Sequence, residues 1–219
     1  MKKTPPAKPP AKHSAKPAAK TTPGQLRIVG GLFKRTPLPI AAVDGLRPTP
    51  ERLRETLFNW LGGDAAGLRC LDLFAGTGAL GFEAASRGAA FVLLNEWQRS
   101  AHAQLQKSAA LLKSRQGGED LQLDIRQQDG LALLKNWQGE AFDLLFLDPP
   151  FAQEASYAAA LRAAQGKAAC VYLEASRQWS DAELNALGWQ AAKHSRAWAV
   201  HGHLLRPVSA PQVASSLMD

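Results

Sequence analysis

The stretch Leu71-Asp72-Leu73-Phe74-Ala75-Gly76-Thr77-Gly78-Ala79-Leu80-Gly81 decides the fold. An apolar strand runs here into a glycine turn, and the turn opens a helix. Glycine permits positive φ and lets the backbone come within contact distance of a ligand. The three glycines match the G-x-G-x-x-G pattern of dinucleotide-binding loops. The Asp72 carboxylate, which can accept from an ammonium group, and the Phe74-Ala75 step favour a ligand with an amino-acid end instead. A strand–helix turn without any ligand is the alternative.

Outward from this loop, apolar strand-like runs alternate with helical stretches. Such alternation predicts crossover units and a mostly parallel sheet with helices on both faces. The predicted strands are 69–74, 91–95, 121–126, 142–147 and 169–174, and the predicted helices are 79–87, 97–113, 130–137 and 154–165. Two further strands, 188–193 and 197–206, have no helix between them. We therefore expect an α/β fold with an antiparallel hairpin at one edge of the sheet.

The N-terminal part of the chain is basic. The 219 residues carry a net charge of +7, and residues 1–24 hold six lysines and no acid. Their Lys-, Pro- and Ala-rich composition predicts a disordered tail. Its possible roles are a linker, a tether for a polyphosphate partner or, less in keeping with the composition, a transit peptide. We divide the chain into this tail, a basic strand segment 25–47, a domain 48–208 and a C-terminal tail 209–219.

A helix is predicted to follow the basic segment. Thr49 can cap it, Pro50 suits the first helical position, and Glu51 favours the positive end of the helix dipole. Apolar residues then recur at helical spacing, which indicates one buried face: Leu53, Leu57, Trp60 and Leu61.

The overall composition excludes several classes of protein. Hydrophobic residues make up 46% of the chain, yet no apolar run approaches the length of a membrane span. Cys70 and Cys170 each lie in an apolar strand-like run, so we expect reduced core residues and a cytoplasmic location. No Cys or acid cluster accompanies His201-Gly202-His203, so we expect a surface strand there and no metal site.

Two acids follow the second and third strands of the alternating series. Glu96 lies about twenty residues beyond the glycine loop, where a carboxylate can accept both hydroxyls of a ribose. Asp129 is placed to meet an adenine amino group, to cap the helix 130–137, or to do both. These positions predict a nucleoside ligand, but they are common to enzymes that use nicotinamide and enzymes that use S-adenosylmethionine.

The run Asp148-Pro149-Pro150-Phe151 distinguishes between these cofactors. It lies at the carboxyl end of a predicted strand, the edge of an α/β sheet at which ligands bind. Two prolines remove two backbone donors and fix φ, so the turn presents only acceptors, the Asp148 carboxylate and the Pro149 carbonyl. Such a pair fits a planar NH₂ group and aims its nitrogen at a methyl donor. Phe151 offers a face on which a base can stack.

These motifs, together with Arg27-Ile28-Val29-Gly30-Gly31 and the stretch Gly45-Leu46-Arg47-Pro48-Thr49-Pro50-Glu51-Arg52-Leu53-Arg54-Glu55-Thr56-Leu57-Phe58-Asn59-Trp60-Leu61, resemble the RsmD family. Members of that family methylate N2 of one guanosine in bacterial 16S ribosomal RNA. The resemblance covers roughly residues 26–206 and implies a Rossmann-like methyltransferase fold with seven strands. It also implies S-adenosylmethionine as cofactor, S-adenosylhomocysteine as product, and a monomer that acts on 16S rRNA in the 30S subunit or an assembly intermediate.

The resemblance implies a role for each matching position. Residues expected at the cofactor are Asp72, Phe74, Ala75, Gly76, Gly78, Glu96, Trp97, Asp129, Gly130 and Thr49, and those expected at the base are Asp148, Pro149, Pro150 and Phe151. Basic residues expected to contact RNA are Arg27, Lys34, Arg35, Arg47 and Arg52. Thr49 and Arg52 would close over the cofactor or the target. Gln98 departs from the family, which often has an acid there, and Trp97 is expected to pack on the adenine.

Other functions stay open at this point. The glycine pattern alone fits a dehydrogenase, although Asp148-Pro149-Pro150-Phe151 supplies no site for hydride transfer. An RNA-binding module with a degenerate pocket is a second alternative, although it would have no use for an acceptor-only turn. Adenine N6, cytosine N4 and a glutamine side-chain amide present the same NH₂ group, so only the resemblance favours guanine.

Overall fold

The computed structural model describes residues 24–41, 49–149 and 154–208. The elements in chain order are β1 (Gln25–Arg27), β2 (Pro37–Pro39), α1 (Glu51–Trp60), β3 (Arg69–Asp72), α2 (Ala79–Ser86), β4 (Phe91–Asn95), α3 (Arg99–Lys113), β5 (Leu123–Arg126), α4 (Gly130–Lys135), β6 (Phe142–Leu147), α5 (Glu154–Ala164), β7 (Ala168–Ala175), α6 (Asp181–Ala186), β8 (Trp189–Ala197) and β9 (Val200–Pro207). The predicted tails lie outside the described residues, apart from Gly24.

Seven strands form one sheet in the order β5-β4-β3-β6-β7-β9-β8. Strands β3 to β7 pair in parallel, whereas β9 pairs antiparallel with both β7 and β8. The chain moves outward from β3 to β4 and β5 and then returns to β6 on the other side of β3. This reversal creates a crevice at the carboxyl ends of β3 and β6, where ligands bind in open α/β sheets. The predicted fold class, including the antiparallel edge hairpin, is confirmed.

The two faces of the sheet bury two separate clusters of apolar side chains. Successive residues of a strand point to opposite faces, so Leu144 and Phe146 of β6 pack with α1, α2 and α3, while Leu145 and Leu147 pack with α4 and α5. Cys70 and Cys170 are free thiols, as expected. None of the helices in the described part of the chain is both long and apolar enough to cross a bilayer.

The β1–β2 hairpin is held to the sheet layer by one buried acid, Glu83 of α2. Its carboxylate accepts from the backbone N–H groups of Val29 at 2.9 Å and Gly30 at 2.7 Å. It also forms ion pairs with Arg54 of α1 at 2.9 Å and Arg87 at 2.8 Å. A single side chain therefore joins the hairpin, α1 and α2.

The structure corrects two local predictions and adds one helix. Thr49 does not cap α1; the capping residue is Pro50, which offers no side-chain acceptor. The sequence analysis did not predict α6, although Ser180 and Glu183 form a reciprocal capping box at its start. The strand that holds His203 is not at the surface, because β8 forms the edge and covers β9. His203 is buried, and its Nε2 accepts from the Trp179 N–H at 3.2 Å.

Candidate active site

The glycine loop leaves β3 at the crevice and folds back over the ends of the neighbouring strands. Gly76 and Gly78 have φ values of 51° and 77°, a region that favours glycine, and Gly78 is the capping residue of α2. The Gly78 N–H donates to the Ala75 carbonyl at 2.6 Å, and the Ala75 N–H donates to the Asn95 carbonyl at 2.8 Å. The loop is therefore a tight turn fastened to the end of β4.

Asp72 lies beneath this loop. Its side chain is buried, and its Oδ2 accepts from the Gly81 N–H at 2.9 Å. The pKa of Asp72 is raised to about 7, chiefly by burial and also by the nearby Asp148 and Glu96 carboxylates, against the lowering effect of the Gly81 hydrogen bond. Asp72 thus fixes the first turn of α2 to the end of β3.

Glu96 stands directly beside the glycine loop, at the end of β4. Its Oε2 accepts from the Gly76 N–H at 2.8 Å, and its Oε1 accepts from the Gln98 N–H at 2.7 Å. Each carboxylate oxygen keeps further acceptor capacity. The next residue, Trp97, is 70% exposed, so its indole presents a free face beside this carboxylate.

Asp129 and Gly130 complete the same side of the crevice. Asp129 caps α4, as predicted, because its Oδ1 accepts from the Ala132 N–H at 2.7 Å. A Cβ on Gly130 would lie 3.0 Å from both the Leu73 carbonyl oxygen and the Phe74 ring, so glycine lets α4 begin close to the loop. Phe74 is half-buried there.

The sequence analysis missed Asn95, the last residue of β4. Its buried amide donates to the carbonyls of Leu73 at 3.1 Å and Gln128 at 3.0 Å, while its Oδ1 has no hydrogen-bond partner among the described residues. Asn95 therefore connects the ends of β3 and β5 through β4. The signal in the sequence was a single polar residue that closes an apolar strand.

Asp148 follows β6 at the centre of the crevice and is half-buried. Burial raises the pKa of its carboxyl to about 7. The Pro149 carbonyl accepts from the Tyr157 hydroxyl at 3.3 Å and retains a second lone pair. Pro150 and Phe151, the rest of the predicted turn, lie outside the described residues.

Glu174, at the end of β7, is a further acid of this crevice, and the sequence analysis missed it. Leu173 of β7 pairs with Leu147 of β6, so Glu174 and Asp148, the residues that follow them, are also neighbours. Leu173 and Leu147 both face α4 and α5. Glu174 is buried and accepts from the Tyr172 hydroxyl at 3.1 Å and from the Thr49 side chain. Burial and the neighbouring Asp148 raise the pKa of Glu174 well above its usual range.

Thr49, which was predicted to contact the cofactor or the target, contacts a protein side chain at the crevice. Its hydrogen bond to Glu174 holds the N-terminus of α1 against the carboxyl end of β7.

The predicted RNA-binding residues that the structure describes are spread over three places. Arg52 is exposed on the first turn of α1, at the carboxyl edge of the sheet. Lys34 and Arg35 are exposed on the loop that packs on Ser86, at the far end of α2. Arg27 is exposed between these places, with its carbonyl accepting from Arg54 at 3.0 Å. Arg47 lies outside the described residues.

One cavity lies at each end of α1. One of about 470 Å³ lies at the amino ends of β6 and β7, away from the crevice, between Trp60 and Arg206. The other, of about 360 Å³, lies at the start of α1, between Arg52 and Trp198. Within the described ranges, no group of three or more His, Cys, Asp or Glu side chains is arranged to hold a metal ion.

Known proteins share both the sequence and the fold of this chain. A sequence profile described as "Conserved hypothetical protein 95" matches residues 26–201. Two proteins named ribosomal RNA small subunit methyltransferase D match as well. The one from Haemophilus influenzae is 43% identical over 129 residues, 58% of this chain and 65% of its own length. The one from Escherichia coli strain K12 is 42% identical over 128 residues, 58% of this chain and 61% of its own length. The alignments thus span less than two thirds of either relative.

A solved structure from Escherichia coli, provisionally named a methyltransferase, superposes with a TM-score of 0.68. It is 33% identical, and the match covers 84% of this chain and 98% of that one. The family profile spans most of the described residues, so the match covers the whole fold. The chain belongs to the family described as Conserved hypothetical protein 95, which is the RsmD family that its motifs resemble.

Proposed function

We propose that this protein transfers a methyl group from S-adenosylmethionine to the exocyclic N2 of a specific guanosine in 16S rRNA of the small ribosomal subunit. The observation that carries the proposal is the half-buried Asp148 at the crevice. Asp148 follows β6, which pairs with β3, the strand that leads into the glycine loop. Glu96 follows β4, on the other side of β3. Glu96, a hydrogen-bond acceptor for a nucleoside, and Asp148, a hydrogen-bond acceptor for an amine, thus lie at the same edge of the sheet.

The residues on the β3–β4–β5 side of the crevice suit this cofactor. The Glu96 carboxylate is oriented by two backbone N–H groups, which leaves lone pairs for both hydroxyls of a ribose. The exposed Trp97 indole suits an adenine face, and Asp129 suits the adenine amino group. The positive-φ glycines allow close approach of the backbone. The bound cofactor supplies an electrophilic methyl group on a sulfonium.

The protein's own contribution to the chemistry is to orient an amine and accept a proton. Asp148 and the free lone pair of the Pro149 carbonyl hold the two hydrogens of the guanine amino group, so that the nitrogen lone pair faces the methyl donor. A new N–C bond forms as the donor's S–C bond breaks, and the nitrogen releases one proton to Asp148 or to water. A carboxyl with a pKa of about 7 is well matched to that transfer near neutral pH. Phe151 supplies a stacking face for the base.

The substrate assignment is supported by the two relatives whose names specify the small-subunit ribosomal RNA. We extend their substrate to this chain and assign the 30S subunit, or an assembly intermediate, as the particle on which the enzyme acts as a monomer. A cytoplasmic location follows from that substrate.

Methyl transfer in vitro tests the proposal directly. The purified protein is incubated with S-adenosylmethionine that carries a tritiated methyl group and with 30S subunits, total RNA or DNA. Label in N2-methylguanosine from 16S rRNA, after digestion to nucleosides, is the expected result. Label in N6-methyladenosine or N4-methylcytidine would assign another amino group. Absence of label from every nucleic acid would reject the function.

A further inference from the structure

The tip of the β8–β9 hairpin carries a side chain that folding alone does not explain. Trp198 is 85% exposed, and its backbone has a φ of 54°. Ala197 pairs with Val200, so Trp198 is the first of only two residues in the turn. A positive φ at that place favours Gly, Asn or Asp and is a genuine outlier for a bulky side chain. Both the exposure and the strain point to a role outside the fold.

The strand register places this turn on the same sheet edge as the crevice. His201 of β9 pairs with Ala175 of β7. Ala175 lies two residues beyond Leu173, which pairs with Leu147 of β6. The beginning of β9 is therefore level with Asp148-Pro149. Only β7 lies between β6 and β9, so at about 4.8 Å per strand the two strand ends are about 10 Å apart. That separation is on the scale of one or two nucleotides.

A basic cleft lies beside the tryptophan. Its walls are the first turn of α1 and the hairpin tip, its volume is about 360 Å³, and Arg52 and Arg196 both line it. The Arg196 Nε donates to the Trp198 carbonyl at 2.7 Å, which fixes the turn in its strained form. Among the described residues that line the cleft, Glu51 is the one acid, so the cationic side chains outnumber it by one. Arginine and exposed tryptophan together are suited to a phosphate and a base.

We propose that this surface, formed by Arg52, Arg196 and Trp198 and called here the tryptophan cleft, binds an unpaired nucleotide of the substrate RNA next to the target guanosine. The base stacks on the Trp198 indole, and the arginines contact its phosphates. Stacking does not depend on base identity, so the cleft positions the strand while the crevice selects the reacting amine. The inference rests on the proposed function, because it names a second contact for the same RNA.

Trp198→Gly is the decisive variant. Glycine removes the indole but suits a φ of 54°, so loss of stability cannot account for weaker RNA binding. We expect the KM for 30S subunits to rise about 5- to 150-fold, the range for loss of one stacked base, with kcat within about twofold. S-adenosylhomocysteine affinity should not change. Trp198→Phe keeps an aromatic face, so its KM should stay within about threefold of wild type.

Matched variants separate stacking from charge and from general surface effects. Arg52→Gln and Arg196→Gln should each reduce the slope of log K against log salt by about one. Leu32→Ala removes an exposed apolar side chain from the loop that packs on α2 and should leave the KM unchanged.

The outcomes are distinguishable. An unchanged KM for Trp198→Gly, with normal methylation by wild type, would overturn the tryptophan cleft and leave the proposed function intact. Wild-type protein that sediments as a dimer, with Trp198→Gly a monomer of unchanged RNA affinity, would identify a self-association surface instead. If the wild-type protein methylates no ribosomal RNA, the proposed function fails and this inference fails with it.

Discussion

Asp148 directly follows β6, and the strands on both sides of β6 carry a buried acid at or near their carboxyl ends. Asp72 of β3 and Glu174 of β7 stand on either side of it, and all three carboxyls have raised pKa values because burial penalises the charged form. Asp72 is engaged by the Gly81 N–H, and Glu174 by Tyr172 and Thr49. Asp148 is the half-buried member of the three, so it is the carboxyl available to an entering base.

Replacement of Asp148 by asparagine should abolish most of the activity. The amide keeps the shape of the side chain but is a weaker acceptor and cannot take a proton. We expect kcat to fall by about 10²- to 10⁴-fold, the usual contribution of a proton-transfer group. S-adenosylhomocysteine affinity, measured by titration calorimetry, should stay within a few-fold. Near-wild-type turnover by this variant would contradict the assigned role.

The raised pKa of Asp148 also predicts a pH profile. The carboxyl must be ionised to accept from the amine, and its pKa is raised to about 7. The value of kcat/KM should therefore be low at pH 6, rise through about pH 7 and level off above pH 8. Initial rates measured over that interval at constant ionic strength provide the test. A profile that is flat from pH 6 to 8 would show that another group receives the hydrogen bond.

At the scale of elements, the β1–β2 hairpin depends on a buried carboxylate with four donors. Glu83 accepts from two backbone N–H groups of the hairpin and from Arg54 and Arg87. Gly31 follows at a φ of 74°, and a Cβ there would overlap the Ser86 carbonyl. Loop and helix thus meet by direct backbone contact.

Glu83→Gln should therefore destabilise the protein severely. The glutamine amide places an NH₂ group, itself a donor, among the four groups that donate to Glu83. The substitution also leaves Arg54 without the buried carboxylate that it pairs with. Loss of one member of a buried ion pair costs about 3–5 kcal/mol, so we expect an unfolding free energy lower by about 3 kcal/mol. Urea denaturation measures it, with exposed Glu55→Gln on α1 as the control. A change below about 1 kcal/mol would show that the hairpin is held by its apolar contacts and its hydrogen bonds to Ser86 rather than by Glu83.

Sequence patterns predicted most elements because their signals are local. The bounds of β4 and β6 match the predictions, and the other main strands and helices differ by only a few residues. Non-local relations could not be predicted in this way. The ion pair between Arg54 and Glu83 joins residues 29 apart, and the burial of His203 depends on β8 covering β9. The start of α6 did carry a local signal, Ser180-Asp181-Ala182-Glu183, which the analysis overlooked.

At the scale of the whole molecule, the candidate site draws on all five parallel strands, β3 to β7, and on α1. The sequence predicted Asp72 and Asp148 because each precedes a glycine-rich or proline-rich turn that marks the end of its strand. Glu174 escaped prediction because it sits within an apolar run, Val171-Tyr172-Leu173-Glu174-Ala175, with no turn signal beside it. Trp198 escaped because a two-residue turn without glycine gives no turn signal, so the residue fell within the predicted strand 197–206.

Cofactor binding should stabilise the entire domain, since the crevice joins the loop after β3 to the ends of β4 and β5. S-Adenosylhomocysteine at 100 times its Kd should add about 2.7 kcal/mol to the unfolding free energy. Differential scanning fluorimetry should show a rise in Tm that grows with ligand concentration, and NAD should produce none. Equal stabilisation by NAD would favour the dehydrogenase alternative.

The most direct test of the central claim is the modification state of 16S rRNA in cells that lack the gene. Nucleoside mass spectrometry and mapping by fragment should show that one N2-methylguanosine is lost on deletion. The wild-type gene should restore it, and the Asp148→Asn gene should not. A 16S rRNA with its full set of N2-methylguanosines after deletion would contradict the account.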